Sequence, residues 1–330
     1  MRALILCAVP GVHEERFAAA LRQAGIDVRV SGIEGELTVR RLIREVRPDV
    51  LQIGPLPLAA GVVGAVPRSL PLVVVSYGWD AQLADRDGWD ALAPALARCD
   101  AAICDCAATE VALRDLCRPE TPIARFPWGV DLQMFDPRGP AHDIRSPVGW
   151  ASGDGVLLAT RRLEPLYDPL VLVDGLAGAA TERLRLLFLG EGSLEHQVLA
   201  RARQRGCAGS VAIMPQVAES QLPAMMRAAD VWVNAARADG ASISLLQALA
   251  CGKPVVTPDL VCARDWVDET VGALFPVADP GAAAIAMDRV MQLRLEMGPR
   301  CRRRAEERAD WRVHAETYRR LVLRAAGRAT

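Results

Sequence analysis

Short apolar runs alternate with amphipathic segments along the first part of the chain. Six of these runs predict β-strands, at 3–9, 27–31, 49–54, 70–76, 101–105 and 122–126. The segments between them, such as 38–46 and 109–117, place apolar residues at helical spacing. Because strands that alternate with helices pair in parallel, the pattern predicts an α/β domain with a doubly wound sheet.

This alternation is interrupted near the middle of the chain. Residues 136–155 are rich in Pro, Gly, Asp and Ser and show no apolar period, which predicts a linker at 139–153. Strand patterns then resume, at 155–160, 184–190, 210–215, 230–236 and 253–258. We therefore expect two Rossmann-like domains, 1–138 and 154–308, that face each other across a cleft.

From Asp279 the pattern is helical to the end of the chain, so a C-terminal helix is expected at 309–330. Arginine is abundant here, and Lys253 is the only lysine among the 39 Lys and Arg residues of the chain. The C-terminal arginines fit a solvated helix face whose side-chain stems pack along the surface. A basic patch that weakly contacts an anionic membrane surface is the second interpretation.

Composition excludes some classes of function. Hydrophobic residues make up 51% of the chain and charged residues 24%, so the chain can bury large cores. The formal net charge of -1 argues against a nucleic-acid-binding protein, because such proteins are usually basic. No apolar run approaches the ~18–20 residues of a membrane span.

The N-terminal run at 1–10 is predicted to be a buried strand rather than a signal peptide, because no small-residue cleavage site follows it. Nine cysteines occur without a metal-ligand spacing, so we expect no metal site and a reducing, cytoplasmic location. If the basic patch contacts lipid, the location becomes peripheral to the inner membrane. The sequence indicates no oligomeric state.

Candidate ligand-binding groups follow the predicted strands of the second domain, where open α/β sheets bind ligands. Arg161 and Arg162 follow its first strand and could clamp a diphosphate in a bidentate manner. A surface ion pair with Glu164 is the structural alternative. Gly190 and Gly192 follow the next strand, where they either let the backbone approach a ligand or form a tight turn.

The segment 239–256 has the pattern of a polar loop, a helix and a strand. Its candidate donor-binding positions before and at the helix start are Gly240, Ala241, Ser242, Ile243 and Ser244. Ser242 is placed to cap the helix, and the free amides that follow would attract a phosphate. Gln247, on the next turn, could hold ribose hydroxyls. In the alternative, the helix is simply a leucine-rich core element and Gln247 is incidental.

The first domain offers candidate acceptor-side groups. His13 could carry a proton, with helix capping or surface exposure as the alternative for this histidine. The nearby Gly11 is a candidate donor-binding position, which could allow a phosphate close to the first strand. The loop 76–82 follows a strongly apolar strand, and its candidate positions are Tyr77, Gly78, Trp79 and Asp80. Trp79 offers a stacking face for a sugar and Asp80 a hydroxyl acceptor. Alternatively, Trp79 is a core residue and Asp80 a helix cap.

Several motifs of the second half resemble glycosyltransferase family 4 in order and spacing. They cover residues 125–280 and read FPWGVDLQMFDP, RRLEPLYDP, LGEGS, VAESQLPAMMRAADVWVNAA, DGASISLLQALACGKPVV and RDWVDETVGALFPVADP. The resemblance implies a bacterial, retaining, metal-independent, hexosyltransferase-like enzyme with the two-domain GT-B fold, whose C-terminal helix crosses back to the N-terminal domain. It implies a nucleotide diphosphate sugar, of UDP or GDP, as donor and no cofactor. The acceptor would be a hydroxyl of a glycan, a lipid-linked compound or a small metabolite.

The resemblance also implies roles for individual residues. The glutamate–seven–glutamate motif of the family falls on Asp239 and Gln247, which would contact the donor sugar and the ribose. Arg162 would clamp the diphosphate, and an offset of one selects Arg161 instead. Val217 would lie beside the base.

This sequence departs from the family at three positions. Asp239 and Gln247 replace the two glutamates, and Tyr167 replaces a lysine that follows the clamp arginine. The departures motivate an alternative, in which the protein is a non-catalytic relative that binds nucleotide sugars or stabilises a partner. A Rossmann oxidoreductase is disfavoured, because Gly11 is the only glycine where a GxGxxG motif is required.

Overall fold

The computed structural model describes residues 1–82 and 86–328, and its chain forms two compact units. Unit 1 comprises Met1–Trp128 together with the segment that begins at Trp311, and unit 2 comprises Gly129–Asp310. The chain therefore passes from one unit to the other between Trp128 and Gly129 and returns between Asp310 and Trp311. The segment 139–153, predicted to be a linker, lies inside unit 2.

Unit 1 is built on a parallel sheet of six strands. These are β1 (Arg2–Cys7), β2 (Asp27–Gly32), β3 (Val50–Ile53), β4 (Leu72–Val75), β5 (Ala101–Cys104) and β6 (Ile123–Arg125), in the spatial order β2-β1-β3-β4-β5-β6. All six predicted strands are present. Every residue of β3, β4 and β5 is buried, as expected for parallel strands that are covered on both faces.

Helices follow the strands of unit 1 in the predicted alternation. They are α1 (Val12–Arg22), α2 (Glu36–Val46), α3 (Leu56–Val62), α4 (Trp79–Gln82), α5 (Arg86–Arg98) and α6 (Ala107–Leu116). A single 3-10 turn, Val63–Ala65, follows α3. Val39 and Leu42 of α2 and Leu56 and Val62 of α3 pack in one core with leucines and valines of β1, β3 and β4.

Unit 2 contains a second parallel sheet of six strands. These are β7 (Gly155–Ala159), β8 (Leu184–Leu189), β9 (Val211–Met214), β10 (Val231–Val233), β11 (Val255–Pro258) and β12 (Gly272–Phe275), in the order β12-β11-β10-β7-β8-β9. The first five were predicted. The pattern analysis missed β12, a four-residue strand of which only Gly272 and Phe275 are buried.

The helices of unit 2 are α7 (Pro169–Gly178), α8 (Glu195–Gln204), α9 (Leu222–Ala228), α10 (Ile243–Ala250), α11 (Val261–Arg264) and α12 (Pro280–Arg308). Three 3-10 turns lie at Ser146–Val148, Pro165–Tyr167 and Ala208–Ser210. The longest helix, α12, begins at a true N-cap, because the side chain of Asp279 accepts a hydrogen bond of 2.9 Å from the amide of Ala282.

The last helix, α13 (Trp311–Ala325), belongs to unit 1. The ring of Tyr318 lies 4.5 Å from the ring of Phe17 on α1. Its hydroxyl donates a hydrogen bond of 2.7 Å to the side-chain oxygen of Gln52 on β3. The two C-terminal helices are therefore divided between the units, with α12 in unit 2 and α13 in the core of unit 1.

The single lysine has a structural role in unit 2. The ammonium of Lys253 donates to the carbonyl oxygens of Arg227 at 2.9 Å and Ala229 at 2.8 Å, at the end of α9. A cation at this end of a helix satisfies carbonyls that have no partner within the helix. Burial lowers the pKa of the Lys253 ammonium, and Asp230 opposes that shift.

No helix within residues 1–82 and 86–328 has the length and apolar character needed to cross a membrane. In the same described ranges, no three His, Cys, Asp or Glu side chains are grouped so that they could hold a metal ion. All nine cysteines are free thiols, and eight of them are buried.

Candidate functional site

In the sheet of unit 2, the strand order reverses between β7 and β10. The chain builds β8 and β9 on one side of β7 and then returns to build β11 and β12 beside β10. In such sheets the loops after the two central strands diverge and leave a crevice at their carboxyl ends. The residues that follow β7 and β10 are therefore the first candidates for ligand binding.

These two loops are tied to each other at several points. The indole of Trp232 on β10 donates to the hydroxyl of Thr160 at 2.9 Å. The amide of Arg237 donates to the carbonyl of Leu166 at 2.8 Å, and the Arg237 guanidinium lies 2.7 Å from the Asp168 carboxylate. Side chains on the two loops are thus held in a fixed relative position.

Arg161 and Asp239 meet across this crevice. A guanidinium nitrogen of Arg161, Nη2, lies 2.6 Å from the Asp239 oxygen Oδ2, and the side chains are 19% and 10% exposed. The ring of Tyr167 stacks on the guanidinium, with 4.4 Å between the Arg161 Cζ atom and the ring centroid. The Nε atom of Arg161 is buried and has no hydrogen-bond partner among the described residues.

Arg162 lies in a different environment from Arg161. Its side chain is 70% exposed, and its Nη2 atom lies 3.5 Å from the Glu164 oxygen Oε1. The surface ion pair with Glu164 is therefore present, and Arg162 forms it. Of these two arginines, only Arg161 pairs with Asp239 on the loop after β10.

Asp239 is a buried carboxylate with several contacts. Its Oδ1 atom accepts a hydrogen bond of 3.0 Å from the amide of Gly240. Burial raises the pKa of the Asp239 carboxyl, and the Arg161 guanidinium opposes that shift. The structure thus shows a carboxylate whose charge is compensated mainly by Arg161.

Gly190 and Gly192 support the loop after β7. A Cβ atom at Gly192 would come within 2.3 Å of the carbonyl oxygen of Leu163, so only glycine fits there. The amide of Leu194 donates to that carbonyl at 2.9 Å, and the amide of Gly190, whose φ is 148°, donates to Met214 at 3.0 Å. In the structure both glycines therefore make close contacts between loops.

The loop after β10 leads directly into α10. Ala241 and Ser242 are buried, whereas Ile243 and Ser244 at the helix start are half-buried. Ser242 occupies the predicted cap position of α10, but its side chain makes no capping hydrogen bond to the helix. The Ser242 side chain instead lies beside the Asp239 carboxylate, where it opposes the rise in pKa that burial causes.

Gln247 lies one turn into α10. Its side chain is 3% exposed and makes no hydrogen bond within the described part of the chain, although its backbone carbonyl accepts from Cys251. The neighbouring Leu245, Leu246 and Leu249 belong to the core of unit 2. Val217, proposed beside the base, is partly buried and packs against the same core.

In unit 1, a buried carboxylate joins the loops after β1 and β4. Glu14 is 5% exposed, and it accepts a hydrogen bond of 2.9 Å from the amide of Gly11 and another from the hydroxyl of Tyr77. Burial and the nearby Glu14 raise the pKa of the Tyr77 phenol. Glu14 was not among the candidates predicted from the sequence. The signal was a glutamate three residues after a helix-start glycine, a spacing typical of a capping box.

His13 packs among aromatic side chains in unit 1. Its ring lies 5.0 Å from the ring of Tyr77 and 5.0 Å from that of Trp128, and these two rings are 5.2 Å apart. His13 is thus not a simple surface residue. It is also not the cap of α1, because Gly11 occupies the cap position.

Asp80 has the structural role that the sequence left open. It is buried, and its carboxylate accepts hydrogen bonds of 2.9 Å from the amide of Leu56 and 2.6 Å from the hydroxyl of Ser76. Asp80 therefore caps the start of α3, and burial raises its pKa. Gly78 has φ of 80° and donates its amide to Ser76 at 3.2 Å. Trp79 is half-buried beside a pocket, so it is not a core residue.

The family model for glycosyl transferases group 1 matches residues 141–308, half of the chain. The chain belongs to this family. Its matched region contains both loops of the crevice, the ion pair between Arg161 and Asp239, and α10. The predicted membership of a glycosyltransferase family is thereby confirmed. The assignment to family 4 and the interpretation of the motif departures stay predictions.

Among relatives of this chain is the D-inositol 3-phosphate glycosyltransferase of Kineococcus radiotolerans, 32% identical over 223 residues. That alignment covers 59% of this chain and 51% of the relative. Across several such enzymes, the matched region spans between 30% and 51% of their length. The chain therefore matches about half or less of each of these longer proteins.

Solved structures confirm the predicted α/β GT-B fold. Sucrose-phosphate synthase from Thermosynechococcus elongatus superposes with a TM-score of 0.83 and 16% identity, over 97% of this chain and 99% of that chain. Anabaena Alr3699/HepE in complex with UDP-glucose superposes with a TM-score of 0.78 and 17% identity, over 99% of both chains. At these identities the comparison concerns the fold alone.

Proposed function

We propose that this protein is a retaining, metal-independent glycosyltransferase that transfers a sugar, a hexose, from a UDP-sugar to an acceptor hydroxyl. The observation that carries the proposal is the crevice of unit 2, where Arg161, Asp239 and the start of α10 lie at the carboxyl ends of β7 and β10. This is the position at which α/β sheets bind nucleotides. The choice of UDP over GDP rests on Alr3699/HepE, whose structures contain UDP and UDP-glucose.

The proposed donor contacts follow from charge and hydrogen-bonding capacity. Arg161 binds the diphosphate and stabilises the negative charge that develops on it as the glycosidic bond breaks. The amides of Ile243 and Ser244 add the partial positive charge of a helix start. Asp239 accepts hydrogen bonds from sugar hydroxyls, and Gln247, whose side chain has no partner in the described part of unit 2, binds the ribose.

Gln247 and Tyr167 affect the strength of this site. A neutral amide gives the ribose a hydrogen bond worth ~1 kcal/mol, in place of ~1.5–3 kcal/mol for a carboxylate. Tyr167 supplies no cation to the diphosphate, which leaves Arg161 as the central charge of the crevice. Arg162 is exposed and can add charge only from the surface.

We assign acceptor binding to unit 1. Unit 1 presents His13 and Trp79 near the carboxyl ends of its strands, and Trp79 borders a pocket with Pro57 and Leu92 that could receive a sugar ring or an apolar group. The relatives are named for D-inositol 3-phosphate, so this compound belongs in an acceptor panel with glycans and lipid-linked hydroxyl compounds. The free, mostly buried thiols fit a reducing compartment, and we place the reaction in the cytoplasm.

A nucleotide panel followed by product analysis tests the proposal. Thermal unfolding is measured with UDP, GDP, ADP and their sugars, and any stabilising donor is then incubated with the acceptor panel. We expect stabilisation by UDP and a product that keeps the anomeric configuration of the donor, read from NMR coupling constants. An inverted product refutes the retaining mechanism, and failure of every nucleotide to bind refutes the donor site.

One outcome would favour the non-catalytic alternative. This alternative is motivated by Tyr167, which replaces the family lysine, and by Gln247, which replaces the second glutamate. Binding of UDP without transfer to any acceptor, but with transfer once a partner chain is added, would assign the protein a supporting role.

A further inference from the structure

The ion pair between Arg161 and Asp239 joins the two charged side chains that the proposed function gives to different parts of the donor. Arg161 is assigned to the diphosphate and Asp239 to the sugar, yet their charged atoms lie 2.6 Å apart. A guanidinium in this contact has one of its hydrogen-bonding edges occupied by a carboxylate. A diphosphate that binds the same edge must displace that carboxylate.

We infer that the Arg161–Asp239 ion pair is a gate that opens when the donor binds. The diphosphate displaces the Asp239 carboxylate from the Arg161 guanidinium, and the released carboxylate then becomes available to bind the sugar. This inference rests on the proposed function and extends it to the order in which the donor contacts form. It assigns Asp239 a second role, as an internal competitor of the diphosphate.

The remaining contacts of Arg161 favour exchange of partners. Tyr167 covers a face of the guanidinium and leaves its edges available. The buried Nε atom has no hydrogen-bond partner in the described structure, so a diphosphate with several oxygens can satisfy both Nε and Nη2. Asp239 offers Nη2 a single close oxygen, because its other oxygen accepts from Gly240.

The consequence is measurable in the affinity for UDP, which carries the diphosphate but no sugar. While Asp239 holds Arg161, only the fraction of molecules with an open pair is competent to bind, and the apparent affinity is reduced by that fraction. Asp239→Asn keeps the shape of the side chain but removes its charge. This variant should therefore bind UDP more tightly than the wild type, although its contact with the sugar is weakened.

The experiment is isothermal titration of UDP into the full chain and its variants. Asp239→Asn should raise the affinity for UDP by about five- to tenfold, the range expected when a charge-assisted bond no longer competes. The same variant should lower kcat with a UDP-sugar donor. An ion pair that serves only stability would not produce this combination.

Glu164→Gln is the matched control. It removes the charge that pairs with the exposed Arg162, 3.5 Å away, while its remaining side-chain oxygen can still accept from the hydroxyl of Ser193, so the affinity for UDP should be unchanged. Arg161→Ala should weaken UDP binding by at least tenfold. In the Arg161→Ala background, adding Asp239→Asn should not increase the affinity for UDP, because there is no guanidinium for the Asp239 carboxylate to compete for.

Each alternative result has a separate meaning. An unchanged or weaker UDP affinity in Asp239→Asn, with a thermal unfolding temperature like that of the wild type, overturns the gate while the proposed donor site stands. A gain in UDP affinity in Glu164→Gln instead would move the diphosphate contact to Arg162.

If Asp239→Asn unfolds, Asp239→Ser provides the uncharged, smaller replacement for the same titration. Failure of the wild type to bind UDP, GDP or ADP refutes the proposed function itself.

Discussion

At the scale of the residue, the environment of Arg161 distinguishes it from its neighbour. Both arginines were candidates, and the sequence could not separate them because an offset of one residue exchanges their roles. The structure shows that Arg161 is mostly buried, paired and stacked, whereas Arg162 is 70% exposed. Desolvation strengthens the attraction between a buried guanidinium and an anion, so we expect Arg161 to dominate nucleotide binding.

Tyr167 provides the first prediction. Its ring stabilises the position of the Arg161 guanidinium through a cation–π contact at 4.4 Å, worth ~0.5–2 kcal/mol. Tyr167→Leu should weaken UDP binding about fivefold, as measured by calorimetry. Tyr167→Phe keeps the ring and should bind like the wild type. Equal losses in both variants would mean that the hydroxyl, not the stacked ring, is what matters.

Side-chain pairing explains why this site was only partly predictable. The sequence identified Arg161 and Asp239 separately, because each follows a recognisable strand. Their contact, across 78 positions of the chain, depends on the β7–β10 pairing and on the ties between the two loops. Glu14 escaped notice for the same reason, because its partner Tyr77 lies 63 positions away.

At the scale of the element, the loop after β8 packs closely against the loop after β7, and this contact fixes the position of Arg161. Gly192→Ala places a methyl group against the backbone of Leu163, and we expect it to destabilise the fold by about 1–3 kcal/mol and to weaken UDP binding. Chemical denaturation and calorimetry measure the two effects.

Gly209→Ala is the control for that change. A Cβ atom at Gly209 meets nothing within 4 Å, so the free energy of unfolding should change by less than about 0.5 kcal/mol. Wild-type stability and wild-type UDP affinity in Gly192→Ala would show that the two loops can separate without consequence.

The accuracy of the strand predictions follows from burial. Strands such as β3, β4 and β5 are buried at every position and read as continuous apolar runs, so the pattern located them. The missed β12 has two partly exposed positions and only four residues, and it pairs with β11 through backbone contacts that side-chain patterns do not report. Helix ends were less predictable, since Ser242 has the residue type of a cap but no capping bond.

At the scale of the whole molecule, the chain divides at Trp128 and rejoins unit 1 at Trp311. The sequence placed the first boundary ten residues later, because the Pro- and Gly-rich segment after Asp136 suggested a linker. Long-range contacts decide otherwise: the amide of Val130 donates to the carbonyl of Ala309 at 2.7 Å, and Phe135 is fully buried in the core of unit 2.

The return of α13 to unit 1 predicts a selective loss of stability. Tyr318→Ala removes a fully buried ring and its bond to Gln52, and should destabilise unit 1 by about 3–5 kcal/mol. Hydrogen exchange should show faster exchange in β1–β6 than in β7–β12. Val313→Ala, at a position of the same helix that is 66% exposed, is the matched control. Uniform loss of protection in both sheets would contradict this division of the core.

The central claim is that the crevice between the loops after β7 and β10 binds the nucleotide of a sugar donor. Hydrogen–deuterium exchange of the full chain with and without UDP, read at peptide resolution, tests it most directly. We predict slower exchange at 160–167 and at 239–246, the segments that contain Arg161, Asp239 and the start of α10. Binding of UDP with slower exchange only elsewhere, and none in these two segments, would contradict the claim.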